Sequence, residues 1–237
     1  MEILVVIVII AVLAVISVSA TRSFVAKAKN TKCVSNLRQL GSVAQLWISD
    51  HGGRMIPAFV AGQLPPGVLP GENKAWTQWL TNTYLPGPDR DQVSPDSVFN
   101  CPLRKPPTPN AAQWWKDGKS YGMNNHVDDD GSFSSQVSWN YIYARIPDPG
   151  KIIYITEMGN PIQTPGEPNT EWVMPYNGAG GGGKMAFRHG AAYTKTKQEP
   201  PYDKVNANAL FCDWHVEAVT REQVDYTTAT GKARWRW

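Results

Sequence analysis

Glu2-Ile3-Leu4-Val5-Val6-Ile7-Val8-Ile9-Ile10-Ala11-Val12-Leu13-Ala14-Val15-Ile16 opens the chain, and from Ile3 to Ile16 no side chain carries a polar atom. The first proline of the chain is Pro57. Between Thr21 and Ser49 apolar residues recur at Cys33, Leu37, Leu40, Ala44 and Trp47 or Ile48. That is the i, i+3, i+4, i+7 spacing of a helix with one apolar stripe. The two halves therefore call for different surroundings, lipid or a bundle core for residues 1–20 and the flank of a globular domain for residues 21–50. A continuous helix from Glu2 to Asp50 would be about 70 Å long at roughly 1.5 Å per residue. A domain of this size cannot bury that length, so part of the helix must project.

A cleaved signal peptide wants a basic start and a small-residue cleavage site, whereas this chain begins Met1-Glu2. Ile3 to Ala20 is just long enough to cross a bilayer. Arg22, Lys27, Lys29 and Lys32 come after it, and by the positive-inside rule they would hold the large C-terminal part on the cytoplasmic side unless basic residues precede the span. Glu2 suits the positive end of a helix. Inside a membrane it would also be an ionisable group seeking a cationic partner.

These residues resemble the N-terminus of type IV pilins and type II secretion pseudopilins, whose mature chains commonly begin Phe-Thr-Leu-(Met or Ile)-Glu-(Leu or Ile)-Leu-Val-Val-Ile. On that alignment three residues and a basic leader would precede Met1. Cys33-Val34-Ser35-Asn36-Leu37-Arg38-Gln39-Leu40-Gly41 is similar to the Cys-x-Asn-Asn-Leu-Arg-Gln-Ile-Gly stretch of the pilin-like family that carries an H-X9-DG motif. Further matches are Phe99-Asn100-Cys101-Pro102, Ser120-Tyr121-Gly122-Met123-Asn124, Arg188-His189-Gly190 and Asn208 to Val216. Two departures stand out: His189 and Asp213 are further apart than in the family, which an insertion around 192–204 would explain, and Trp214 replaces a Gly that often supplies φ > 0.

The resemblance implies a helical filament of identical subunits, with Glu2, Ile3, Leu4, Val5, Val6 and Ile7 as the assembly residues. Its partners would be the inner membrane before assembly, a prepilin peptidase and the pilus or secretion machinery, and its destination a periplasmic or extracellular filament. The three cysteines would allow one bridge in an oxidising compartment. Cys33 and Cys101 both fall in family-like motifs, which favours that pair over Cys101–Cys212. Three buried, reduced thiols are the alternative, and the spacing excludes a zinc site built from CxxC pairs.

Residues 51–237 are rich in Pro, Gly, Asn and Trp, a composition of turns and irregular loops. The fold class expected is α+β: the long helix laid on a small antiparallel sheet with extensive loops, one globular domain on a stalk. Short strands are predicted at Trp139–Ala144, Lys151–Thr156, Ala207–Cys212 and His215–Val219, the last two as a hairpin. A helical turn is predicted at Ala75–Thr83, where Trp76, Trp79 and Leu80 share a face.

The net charge of +3 carries no basic stripe interleaved with aromatics, so no nucleic-acid partner is expected. The tail Lys232-Ala-Arg234-Trp235-Arg236-Trp237 suits a membrane interface or anionic polymer as well as it suits an edge strand or subunit contact. Most of the ten Trp, Trp114-Trp115 among them, are expected in packing, with carbohydrate stacking the lesser reading. Gly178 to Lys184 spells GxxxxGK, but Met185 stands where Ser or Thr should reach magnesium, and a glycine loop is the better account. Asp128 and Asp130 offer hard oxygen ligands for calcium without the rest of an EF-hand. No other cofactor is expected.

His189, Asp213 and His215 are the candidate catalytic or metal set, since imidazole and carboxylate can polarise a nucleophile or ligate a metal. No Ser elbow, HExxH or paired catalytic carboxylates accompany them. The expectation is therefore structural: a charge-assisted contact of His189 with Asp213 pinning the last hairpin to the glycine loop. Two functions from different classes remain open, a non-enzymatic filament subunit and a membrane-tethered enzyme or ligand-binding module with a simple anchor.

Overall fold

The computed structural model describes residues 2–56, 59–60, 74–77, 80, 84–85, 97–103, 120–124, 142–158, 172–173, 185–187, 189, 206–220 and 222–224. Helix α1 runs Glu2–Asp50 without a break. Its end has a local cause. Gly52 and Gly53 take positive φ (63° and 80°), and the Gly53 amide donates to the Ile48 carbonyl at 2.8 Å, closing the last turn as a left-handed glycine C-cap does.

The two halves of α1 meet different surroundings. Cys33, Leu37, Leu40, Ala44, Trp47 and Ile48 are all buried, so the stripe continues through both members of the final Trp–Ile pair. Residues 3–14 are exposed on every side of the helix. Among the described residues no helix is long and apolar enough to cross a membrane.

The stripe packs on an antiparallel sheet of β3 (Tyr121–Asn124), β4 (Ile153–Glu157), β6 (Asn206–Phe211) and β7 (Val216–Thr220). The two-residue β5 (Trp172–Val173) lies parallel beside β3, giving the order β5-β3-β4-β6-β7. A separate pair joins β1 (Phe59–Val60) to β2 (Lys74–Ala75). The alternation of strand side chains is clearest in β6. Leu210 and, just beyond the strand, Cys212 face the helix with Tyr121, Met123 and Tyr154. Ala207, Ala209 and Phe211 face a second apolar layer that includes Met185, Phe187 and Val224. The sheet is thus covered on both faces, which explains why β4 is buried along its whole length. Gly41 lets helix and sheet approach closely: a Cβ there would lie 3.1 Å from a Leu210 methyl.

The predicted hairpin is present within a residue of its expected bounds, and the strand predicted at Lys151–Thr156 is shifted forward, starting two residues later and ending one later. Of the strand predicted at Trp139–Ala144, residues 139–141 lie outside the described residues, and the remainder is a correction: Ile142 forms one bridge with Arg54, and Tyr143–Arg145 is a 3-10 turn. Pro147 and Pro149 come directly after it, and residues lacking an N–H cannot extend a ladder. In the segment predicted helical at 75–83, Trp76, Thr77 and Leu80 are helical, while Ala75 ends β2.

Candidate functional site

Four segments converge at the C-terminal end of β4. Glu157, the last residue of β4, is fully buried, and His189 is 3% exposed. His189 is placed by its backbone, which exchanges both ladder bonds with Asn206 at 3.0 and 2.9 Å. Its Nε2 meets Glu157 Oε1 at 2.5 Å. Asn208 Nδ2 lies 3.4 Å from the same oxygen and donates to Asn30 Oδ1 of α1 at 2.9 Å. Helix and sheet thereby share one polar network inside an apolar core, where the low dielectric strengthens each hydrogen bond that is made.

Cys33 and Cys101 close a disulfide against this pair, their Cα atoms 5.0 Å apart. The loop carrying Cys101 is clamped to the helix by Asn36, whose Nδ2 donates to the Asn100 carbonyl at 2.7 Å. The Tyr121 hydroxyl donates to the Cys33 carbonyl at 3.3 Å. Cys101 Sγ stands 3.9 Å from His189 Nε2. Buried to this degree, the cluster holds a covalent bridge and brings four donor atoms together.

A second cluster occupies the β6–β7 turn. Asp213 Oδ1 accepts from the His215 amide at 3.2 Å and lies in still closer contact with His215 Nδ1, while His215 Nε2 is 3.5 Å from Glu217 Oε2. These side chains are about two-fifths exposed. Asp213 also seats the turn on the preceding loop, its amide donating to the Pro149 carbonyl at 3.2 Å. Gly150 leaves the space: a Cβ there would stand 3.0 Å from Asp213 Oδ2. Behind the turn, burial first and the Asp213 charge second push the Cys212 thiol well above its usual range.

The sequence set of His189, Asp213 and His215 is therefore split. Asp213 and His215 meet; His189 does not join them. The physical reason is the length of β6: His189 bridges Asn206 at one end, and Asp213 lies in the turn past the other, about 20 Å away at roughly 3.3 Å per strand residue. Glu157 takes the partner role that Asp213 was expected to fill. Its signal was present as a carboxylate ending the apolar run Ile152–Ile155, a position that a strand buried on both faces tolerates only with a partner. Ile3, Leu4, Val5, Val6 and Ile7 are all more than half exposed. The Glu2 side chain, Asp128, Asp130, the glycine loop 178–183, Trp114-Trp115 and the 232–237 tail lie outside the described residues. Comparison of the chain with protein-family models, with curated proteins and with solved structures finds no match.

Proposed function

We propose that this chain is a structural subunit of pilin or pseudopilin type, which polymerises through residues 1–20 into a helical filament and needs no reaction of its own. One observation carries the reading: Ile3 to Leu13 are apolar and more than half exposed wherever a large side chain stands, from Ile3 at 77% to Val6 at 53%. A helix that is hydrophobic all round belongs inside something. Burying what these ten large side chains still expose would contribute on the order of 10 kcal/mol per subunit at the usual transfer values, so an apolar surface must cover them. Copies of the same helix supply it when subunits add head to tail in a contact that does not close on itself. Before assembly the same segment would reside in the inner membrane, inserted ahead of the prepilin peptidase and assembly machinery. The likeness of the first residues to pilins supports the same reading, and the buried network at Glu157 then serves to lock the helix to the head domain.

Electron microscopy with mass spectrometry of material sheared from the cell surface, or released from the envelope, tests it. Filaments containing this chain are expected, absent when residues 1–20 are deleted and at least several-fold fewer in Glu2→Ala, since an unpaired carboxylate in a filament core is costly and Glu2 would meet a neighbour's N-terminal amine. A membrane-bound chain that never enters filaments would favour the tethered-module reading, and a deletion variant that still polymerises would overturn the role given to residues 1–20.

A further inference from the structure

Four ligand atoms meet at one buried point that no sequence spacing announces. The sulfurs of Cys33 and Cys101, an oxygen of Glu157 and a ring nitrogen of His189 all lie within 4.8 Å of one another. They arrive from the helix, the 97–103 loop, the end of β4 and the residue bridged to β6, segments up to 156 positions apart in the chain. Two further atoms of the same side chains, Glu157 Oε2 and His189 Nδ1, are buried without a hydrogen-bond partner among the described residues. A buried polar atom seldom tolerates that condition without a role.

We propose that reduction of the Cys33–Cys101 bridge opens a site for one thiophilic divalent cation of the zinc class, with both thiolates, His189 Nε2 and the Glu157 carboxylate as its ligands. The proposal stands apart from the filament reading. Exchange with a dithiol reductant passes two electrons to the bridge, breaks the sulfur–sulfur bond, leaves two thiols and converts the reductant to its own disulfide. The cation then displaces the two thiol protons to solvent and forms two metal–sulfur bonds. Because the same sulfurs serve both states, bridge and metal are alternatives, and the core reports the redox state around it.

The geometry is close to what a tetrahedral ion needs. Zinc ligands at about 2.0–2.3 Å from the metal stand roughly 3.3–3.8 Å from one another. Cys101 Sγ and His189 Nε2 are already 3.9 Å apart. Glu157 Oε1 and His189 Nε2, now at 2.5 Å, must separate by about 1 Å, a shift of one carboxylate side chain. The two sulfurs part once their bond is gone. Thiolate and imidazole together select zinc over calcium or magnesium. Asn208, held in turn by Asn30, supplies the outer hydrogen bond that orients a ligating carboxylate.

The test uses the full-length chain in detergent micelles, reduced with a water-soluble phosphine, which becomes the phosphine oxide and does not compete for metal. Cobalt(II) is the probe. The reduced chain should bind one equivalent with thiolate-to-cobalt charge-transfer bands in the near ultraviolet, zinc should displace it, and the oxidised chain should show no such bands. Cys33→Ser and His189→Ala should each weaken binding at least tenfold, and Cys212→Ser should leave it unchanged. A reduced chain whose three cysteines titrate as thiols but which shows no cobalt–thiolate band overturns the proposal, as do bands that survive Cys33→Ser or vanish with Cys212→Ser. Should the variants fail to fold, melts of the reduced wild-type chain decide: zinc must raise the melting temperature, as any ligand of the folded state does, and a zinc-independent melt overturns the site.

Discussion

Trp214 stands where the backbone turns left-handed, at φ 76°, a conformation that costs a residue with a Cβ about 1 kcal/mol or more. The indole compensates. It stacks on Tyr143 with ring centroids 5.3 Å apart and meets Tyr154 edge-on at 5.8 Å, the offset geometries that aromatic pairs favour. Replacing it separates the two effects. Trp214→Ala and Trp214→Gly should both lose about 2 kcal/mol or more of ring packing, yet the Gly variant should be the more stable of the two by about 1 kcal/mol, the reverse of the usual order outside left-handed positions. Denaturant melts of the pair check this, and an Ala variant as stable as Gly would mean the turn is not held left-handed. The Gly expected at 214 raised the question of a left-handed turn, and the sequence left it open because Trp stands there. That His189 would pair with Glu157 instead of Asp213 was not legible, because the choice depends on which end of β6 each reaches, and no local pattern encodes the direction from which the 185–189 segment approaches.

At the scale of elements, the helix stripe and the final hairpin could be read directly, since periods of 3.6 and 2 repeat over enough residues to stand clear of noise. The burial of both sheet faces could not, as the covering segments 185–187 and 222–224 are too short to carry a period. The C-terminal turn of α1 shows how such short pieces still matter. The Tyr84 hydroxyl donates to Asp50 Oδ2 at 2.6 Å, and Tyr84 packs edge-on to Trp47 with centroids 6.2 Å apart. Burial first, then the Asp50 hydrogen bond and charge, push the Tyr84 phenol up from 10.0 to about 12. Below pH 10 the phenol keeps its proton in folded and unfolded chains alike. Between 10.0 and about 12 the unfolded chain releases it while the folded chain retains it, so the tether's contribution is fully present below the lower value and is lost as pH rises through the upper one. Tyr143, Tyr154 and Cys212 are raised in the same direction by burial, hence the comparison must be with Tyr84→Phe. Melting temperatures of the two proteins should converge as pH climbs through this window, and parallel curves would show that the Asp50 contact does not couple to folding.

For the whole molecule, the Cys33–Cys101 bridge decides how tension would travel. Were the chain to assemble into the filament proposed above, a pull along its axis would load each subunit between the apolar end of α1 and the head, and the bridge would hand that load from the helix to the 97–103 loop. Residues 34–100 become a covalent ring hanging outside the load path. Their 68-residue separation represents about 230 Å of chain at full extension that cannot pay out while the sulfurs are joined. Single-molecule stretching between the two termini should therefore find a contour length longer by about that amount after reduction, and equal lengths in the two states would show that the ring is not closed. In such a fibre the bridge would act as a strain limiter: it would withhold the length of the 34–100 ring from each subunit, and reduction would release that slack without breaking the chain.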